Sequence, residues 1–277
     1  MPELPEVEFV VRSLDKIVKN RRISNAELRR ERLAPENSPE DFAARLKGAT
    51  INFVHRRGKH VLFDLNNAQT LITHLRMTGR FMLLSPERED PKHTHAVFYF
   101  EDETRLVFQD QRHFGLMKIV ETRALAETKE IKCLAPEPFS DDFTPEYLKN
   151  ALKRSKRSLK EFLLDQTKVC GLGNIYAAEA MFLARLNPTI PARRVSTRKA
   201  NLLFEKIREV LAEAVAHCEN LEVDPENIDG GFYGGGGADG WRVYDRENAP
   251  CPACGKAIVR IVQSGRSSYF CPKCQKI

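Results

Sequence analysis

Four of the chain's seven cysteines fall in its last 27 residues, as two Cys-x-x-Cys pairs 16 residues apart: Cys251-Pro-Ala-Cys254 and Cys271-Pro-Lys-Cys274. Two such knuckles bring four thiolates to the corners of a tetrahedron, the closed ligand set of a structural zinc ion. The residues between them, GKAIVRIVQSGRSSYF, read as two strands around Ser264-Gly265. The predicted module is therefore a β-hairpin finger holding one Zn2+ through Cys251, Cys254, Cys271 and Cys274. A redox pair or unrelated thiols account less well for the doubled spacing. Cys133, Cys170 and Cys218 are scattered, which fits reduced thiols and not a disulfide framework.

One rival string needs weighing. His217-Cys218-Glu219 followed by Pro250-Cys251-Pro-Ala-Cys254 matches the H-x-E and P-C-x-x-C pattern of zinc nucleobase deaminases. A catalytic zinc needs an open fourth position, and Cys271 and Cys274 would close it. His217 is read instead as a cation favoured near a helix C-terminus.

Nothing in the chain approaches the ~18 consecutive apolar residues of a membrane span, so no membrane partner is expected. The opening MPELPEVEFV carries acids where a secretory signal has bases, and a cytoplasmic protein is predicted. A formal charge of +6 and a pI near 8.9 lean towards a polyanionic partner. Four thiolates around a zinc take two charges off that total, so a local cluster of cations matters more than the sum.

Residues 6 to about 19 repeat apolar side chains at spacings of three and four (Val7, Val10, Val11, Leu14, Ile17, Val18), which predicts an amphipathic helix. Seven strand-like runs follow: ATINFVH, KHVLFDL, QTLITHLR, GRFMLL, HAVFYF, TRLVFQ and LMKIV. Their spacing and turn residues predict a β-sandwich or barrel. After a proline- and acid-rich stretch, Thr144-Pro145 makes a capped helix start. Helices are predicted over 145–154, 158–165, 174–185 and about 197–219. The expected fold class is α+β: an N-terminal β-sandwich with flanking helices (1–134), a linker (135–144), a helical region (145–229), a glycine-rich loop (230–240) and the finger (241–277).

Gly171-Leu-Gly173-Asn174 stands directly before a predicted helix. The first amides of a helix are unpaired and carry partial positive charge, which makes such a turn a phosphate site. Lys153, Arg154, Lys156 and Arg157 lie close by in sequence. Alone, either feature is more often a plain connection or a solvated face; together they favour a polyanion. In the β half, His93-Thr94-His95 is read as placing two imidazoles on one strand face. THLRMTGR and DQRHFG mix apolar side chains (Met77, Phe114) with cations (Arg112) in turn-like segments. A protein that opens a duplex needs that combination: a wedge for the stack and an arginine for the orphaned base.

Taken in order, MPELPEVE, RRGKH, HLRMTGR, KHTH, DQRHFG, APEPFSDDF, GLGNIYAAEA and GRSSYFCPKCQ resemble the formamidopyrimidine-DNA glycosylase family over nearly the whole chain. The resemblance implies a β-sandwich, a helix–two-turns–helix domain and a zinc finger that together clamp damaged double-stranded DNA. It implies a monomeric enzyme of base excision repair in the bacterial cytoplasm. It also implies that Pro2, freed by removal of Met1, attacks C1′ of the damaged nucleoside, that Glu3 moves protons, that Lys59 assists β-elimination, and that Arg266 grips phosphate and assists δ-elimination. Met77, Arg112 and Phe114 would fill the gap left by the extruded base. His74, His93, Arg154, Lys156, Lys168, Gly173 and Asn174 would contact DNA.

That chemistry is sensible by itself. A terminal amine titrates near ~8 against ~10.4 for lysine, so a useful fraction of it is the neutral nucleophile at physiological pH. A secondary amine also gives an iminium that cannot lose its charge, an electron sink for elimination.

The chain departs from the family pattern at His113, where arginine or lysine is usual, at Ser155 within the basic run, and after Gly230-Gly231. There the sequence is FYGGGGADG in place of a longer threonine-containing segment. Ordering so many glycines costs much entropy, so ring-opened purines are expected to be favoured over 8-oxoguanine. Two alternatives stand beside this reading. One is an endonuclease VIII-like glycosylase for oxidised pyrimidines, against which Leu4, Arg112 and Phe114 argue. The other is a lesion-binding protein without chemistry, against which Pro2, Glu3 and Lys59 argue.

Overall fold

The computed structural model describes residues 1–219, 221–229 and 240–277. The glycine-rich loop expected over 230–240 therefore lies, apart from Gly240, outside the described residues. Two compact units are present, one formed by 1–132 with the described residues of 218–229, the other by 133–217 with those of 240–277.

The first unit opens with α1 (Leu4–Val18), which starts two residues before the apolar periodicity does. The reason is a capping box: the Glu3 carboxylate accepts from the Glu6 amide, and Glu6 Oε2 accepts from the Glu3 amide at 2.8 Å. Val7, Val10, Val11, Leu14 and Val18 form the buried stripe. Next come β1 (Ile23–Leu28) and α2 (Pro39–Leu46), neither of which was expected from the sequence. The β1 residues ISNAEL have little strand propensity, and the inward-facing Ile23, Ala26 and Leu28 are put out of simple alternation by a register shift between Ile23 and Asn25. The remaining strands match the seven predicted runs: β2 (Ile51–Arg57), β3 (His60–Leu65), β4 (Gln69–His74), β5 (Gly79–Leu84), β6 (Thr94–Phe100), β7 (Arg105–Asp110) and β8 (Leu116–Glu121). A short α3 (Lys129–Lys132) follows.

These strands make two four-stranded antiparallel sheets, β1-β6-β7-β5 and β2-β3-β4-β8, with one apolar core between them. Phe63 from one sheet meets Phe81 from the other edge to face at 5.5 Å, and Phe81 meets Phe108 at 5.1 Å. Residues 225–228 extend the open edge of β5, with Leu83 N donating to Pro225 O at 2.7 Å and Phe81 exchanging amide bonds with Ile228.

Two connections that leave this sandwich, between β4 and β5 and between β7 and β8, close tightly on Phe108. A Cβ on Gly79 would stand 2.5 Å from Leu75 O and 2.7 Å from the Phe108 ring; one on Gly115 would stand 2.8 Å from the same ring. Glycine is required at both places by space. Gly79→Ala is expected to lower stability by about 1–3 kcal/mol, read as a fall of several degrees in Tm. An unchanged Tm would show that the turn relaxes freely.

In the second unit, α4 (Pro145–Lys153) begins where Thr144 Oγ1 accepts from Tyr147 N at 3.0 Å. It is followed by α5 (Leu159–Leu164), α6 (Asn174–Leu183) and α7 (Thr197–Glu219), then by the hairpin strands β9 (Val259–Gln263) and β10 (Arg266–Phe270). Their turn has φ of 47° at Ser264 and 74° at Gly265, the two left-handed residues of a tight hairpin turn. Among the described residues no helix is long and apolar enough to cross a membrane.

Candidate active site and metal centre

Three charged side chains near the N-terminus are buried: Glu3 is 2% exposed, Glu6 1% and Lys59 5%. Burying charge is costly unless it is partnered, and here the α1 N-terminus provides part of the compensation through the Glu3–Glu6 capping box. Lys59 sits in the turn between β2 and β3, where Gly58 takes a φ of 59°. Burial pushes the amino group of Met1 below the usual terminal-amine range. Glu3 and Glu6 oppose that shift, while Lys59 and Arg112 add to it. The amine, two carboxylates, an ammonium and a guanidinium thus share one electrostatic neighbourhood, and Pro2 is buried within it. An amine whose charged form is disfavoured by burial beside carboxylates has the makings of a nucleophile with its acid/base partner. Glu6 was not singled out in the sequence, although its place three residues after Glu3 is the capping-box signal.

Met77 and Phe114, each open to a core reading by residue type, are 40% and 55% exposed. They sit at the tips of the two connections packed on Phe108. Arg112 holds its guanidinium 5.2 Å from the centre of the Phe114 ring. Arg76 and His113 have φ of 55° and 60°, so each turn is sharply reversed. His74 is buried at the end of β4, and its Nδ1 accepts from Arg76 N at 3.0 Å. In the neutral ring the proton therefore sits on Nε2, which makes that nitrogen a donor. Burial holds His74 well below the usual histidine range and lowers His60, edge-on to it at 4.8 Å, to about 4. Both rings are neutral at physiological pH. His60 carried no sequence signal beyond its place after Lys59.

The reading of His93 and His95 as neighbours on one strand face is corrected. His93 precedes β6 with a φ of 67°, exposed, while His95 is buried in the strand. The two rings instead flank His113, with centroids 5.2 Å and 4.9 Å from it.

In the second unit, Gly173 is the N-cap of α6 and Gly171 has a φ of 77°. Asn174 is not the cap: its Nδ2 donates to Ser267 O at 3.1 Å. A cleft of about 700 Å³ is lined by Tyr147, Arg154, Lys156, Arg157, Asp165 and Lys168 among others, so three residues of the basic run and Lys168, four cations against one carboxylate, share one concave surface. Lys160, 1% exposed, donates to Ser267 O and, at 2.7 Å, to Ser268 Oγ. Lys160 and Asn174 together fix the strand that presents exposed Arg266. Nothing in the residues around Lys160 signals that its side chain points inwards.

Cys251, Cys254, Cys271 and Cys274 have their sulfurs within 4.8 Å of one another, with Cys251 and Cys274 at 3.9 Å and Cys254 and Cys271 at 3.5 Å. Tetrahedral zinc with ~2.3 Å bonds sets sulfurs about 3.8 Å apart, so the donor set fits one structural zinc. It is the one such cluster found among the described residues. Cys271 N bonds Gln275 Oε1 at 2.9 Å, and Gln275 Nε2 reaches Leu186 O at 2.8 Å, which moors the knuckle to the helical body. The deaminase string does not gather here, since His217 is outside the cluster.

Three family descriptions match the chain: "Formamidopyrimidine-DNA glycosylase N-terminal domain" over 1–117, "Formamidopyrimidine-DNA glycosylase H2TH domain" over 134–222, and "Zinc finger found in FPG and IleRS" over 249–277. The chain is 40% identical over 276 residues to a formamidopyrimidine-DNA glycosylase of Listeria monocytogenes, covering 100% of both. It is 40% identical over 296 aligned residues to one of Rhodopseudomonas palustris, again covering 100% of both. Its fold is similar to that of the Lactococcus lactis Fpg protein solved in complex with N7-benzyl-Fapy-dG-containing DNA. That match has a TM-score of 0.90, 32% identity and 100% coverage of each chain.

Proposed function

Because the chain belongs to the formamidopyrimidine-DNA glycosylase family, we propose that it removes ring-opened and oxidised purines from damaged double-stranded DNA and cleaves the strand through Pro2. The activity is that of a base-excision repair glycosylase. The observation that carries the residue-level reading is the shared neighbourhood of the terminal amine, Glu3, Lys59 and Arg112. On removal of Met1, the Pro2 nitrogen forms a bond to C1′ as the glycosidic bond breaks and the base departs. Glu3 handles the protons of sugar-ring opening. The resulting iminium acidifies the 2′-hydrogen; its loss expels the 3′-phosphate, and a second elimination expels the 5′-phosphate. Lys59 serves the first elimination as acid and phosphate contact, and Arg266 serves the second.

Met77, Arg112 and Phe114 act as the wedge that replaces the extruded nucleotide. His74 and His93 contact DNA from the sandwich. Arg154, Lys156, Lys168, Gly173 and Asn174 contact it from the helical unit, which with the finger we read as a separate clamp. The protein works as a monomer in the bacterial cytoplasm, where its substrate lies.

The test is excision from duplexes carrying a single formamidopyrimidine, 8-oxoguanine or oxidised pyrimidine. Formamidopyrimidine is expected to be released fastest, by about tenfold over 8-oxoguanine, a gap of the 1–3 kcal/mol size that pocket differences supply. The strand should end in phosphate on both sides of the gap. Preference for 8-oxoguanine would overturn the inference drawn from the glycine-rich composition. Preference for the pyrimidine would favour the endonuclease VIII-like alternative.

A further inference from the structure

We infer that Asp110 is the positioning residue that holds the wedge together, by locking the Met77 turn and the Arg112–Phe114 turn to each other. The inference rests on the wedge role proposed above and goes beyond it, because Asp110 itself is fully buried and is none of the DNA contacts proposed above.

Asp110 ends β7, and each of its carboxylate oxygens is engaged. Oδ1 accepts from the Thr78 hydroxyl, which belongs to the first turn, and from Arg112 N at 3.2 Å, which belongs to the second. Oδ2 accepts from Gly115 N at 2.6 Å. Thr78 Oγ1 in turn accepts from Arg112 N at 3.0 Å, so the two turns are also bonded directly. The backbone of Asp110 extends the set. Its carbonyl accepts from His113 N at 3.3 Å and faces His95 Nε2 at 2.9 Å, while its amide donates to His93 O at 3.1 Å. One buried residue thereby fixes the backbone on both sides of Arg112 and Phe114, the residue next to Met77, and the carbonyl of His93.

A wedge must be rigid before it meets DNA, because positions ordered only on binding cost affinity. Exposed loop tips cannot get that rigidity from packing at the tip. Here it comes from below, where Gly79 and Gly115 rest on Phe108 and the carboxylate gathers the loose amides above it. Asparagine cannot substitute. It offers one oxygen and one NH2 group, so either Gly115 N–H or Arg112 N–H is left facing a donor.

The experiment compares two substrates: a duplex with a formamidopyrimidine paired to cytosine, and single-stranded DNA with a pre-formed abasic site. The first needs a wedge to extrude the base, and the second has no partner strand to wedge against. Asp110→Asn is expected to lower base excision from the duplex by about 10- to 100-fold, and Thr78→Val by about 3- to 10-fold, the sizes expected for orphaned buried donors. Cleavage of the single-stranded abasic site is expected to change by about twofold or less. Thr78→Ser, which keeps the hydroxyl, restores the duplex rate. Thr78→Val keeps the test decisive if Asp110→Asn does not fold. Parallel losses on both substrates, or no loss on either, overturn the inference. Phe114→Ala separates it from the reading it rests on. If Phe114→Ala shifts the ratio of the two rates and the Asp110 and Thr78 variants do not, the Asp110 inference alone fails. If Phe114→Ala leaves the ratio unchanged, the wedge reading fails and takes the inference with it.

Discussion

Replacing Pro2 with glycine is expected to lower base excision by about a thousandfold or more, the scale seen when a covalent nucleophile is removed from an otherwise intact site. Glycine still presents an amine, so the loss has to come from what proline adds. A primary amine forms an imine that is an electron sink only while protonated, whereas the proline iminium is charged at every pH. Burial at the N-terminus disfavours charge, as the lowered Met1 amine shows, and would strip the proton from a glycine imine. Borohydride trapping checks the assignment: wild-type protein should yield a covalent DNA adduct on the N-terminal peptide, and the glycine variant very little. Equal trapping by both would place the nucleophile elsewhere.

The same burial fixes the sign of the pH dependence. Attack requires the neutral amine, so the rate rises with pH and levels off once the amine has lost its proton. A terminal amine in water reaches that point near ~8. At this site burial lowers the Met1 amine, with Lys59 and Arg112 adding to the shift against Glu3 and Glu6, and Pro2 lies in the same buried surroundings. The acid limb of single-turnover excision is expected below the ordinary range of a terminal amine. Glu3→Gln removes one of the two carboxylates that oppose the shift, and should move that limb to lower pH still.

How much of this was legible in the sequence depends on how locally each feature is encoded. The seven runs were legible because each either alternates or is rich in β-branched and aromatic residues between turn signals, and the continuously apolar ones, such as β7, are buried at every position. The finger was legible because four ligands of one type at fixed spacing admit few arrangements. β1 was missed because ISNAEL is an edge strand with only three of its six residues buried, and its pairing to β6 is set by tertiary contact, not propensity. Asp110 and Lys160 were missed for a related reason. A charged residue in sequence reads as surface, and only the fold shows that Asp110 collects a hydroxyl from one turn and two amides from the other, or that Lys160 turns in to meet Ser267 and Ser268. His93 was misplaced because a left-handed residue at the mouth of a strand breaks the alternation that put it beside His95.

Removing zinc is expected to abolish tight duplex binding, by about a hundredfold or more, through the position of Arg266. The finger has a core of only a few side chains, with Val243, Ile258 and Tyr269 packed with the cysteines against Ala178 and Phe182. Such a module is too small to fold on apolar burial alone. Zinc held by four thiolates contributes about 10–16 kcal/mol in comparable peptides, more than that core could replace. Arg266 begins β10, and Cys271 follows directly after its end. The strand is held at one end by the metal and along its length by Lys160, Asn174 and Gln263. Without the metal, those hydrogen bonds would have to order the hairpin unaided, at a cost of about 1–2 kcal/mol per residue. Chelation, or Cys254→Ser, should therefore release the hairpin while leaving the β-sandwich folded. Circular dichroism and thermal melting would show a partial loss of structure, and titration with abasic-site duplex would show the loss of affinity. Restoring zinc should rescue the chelated wild-type protein but not the serine variant. Unchanged affinity in protein shown to be metal-free would mean that the side-chain bonds to β10, and not the zinc, hold Arg266 in place.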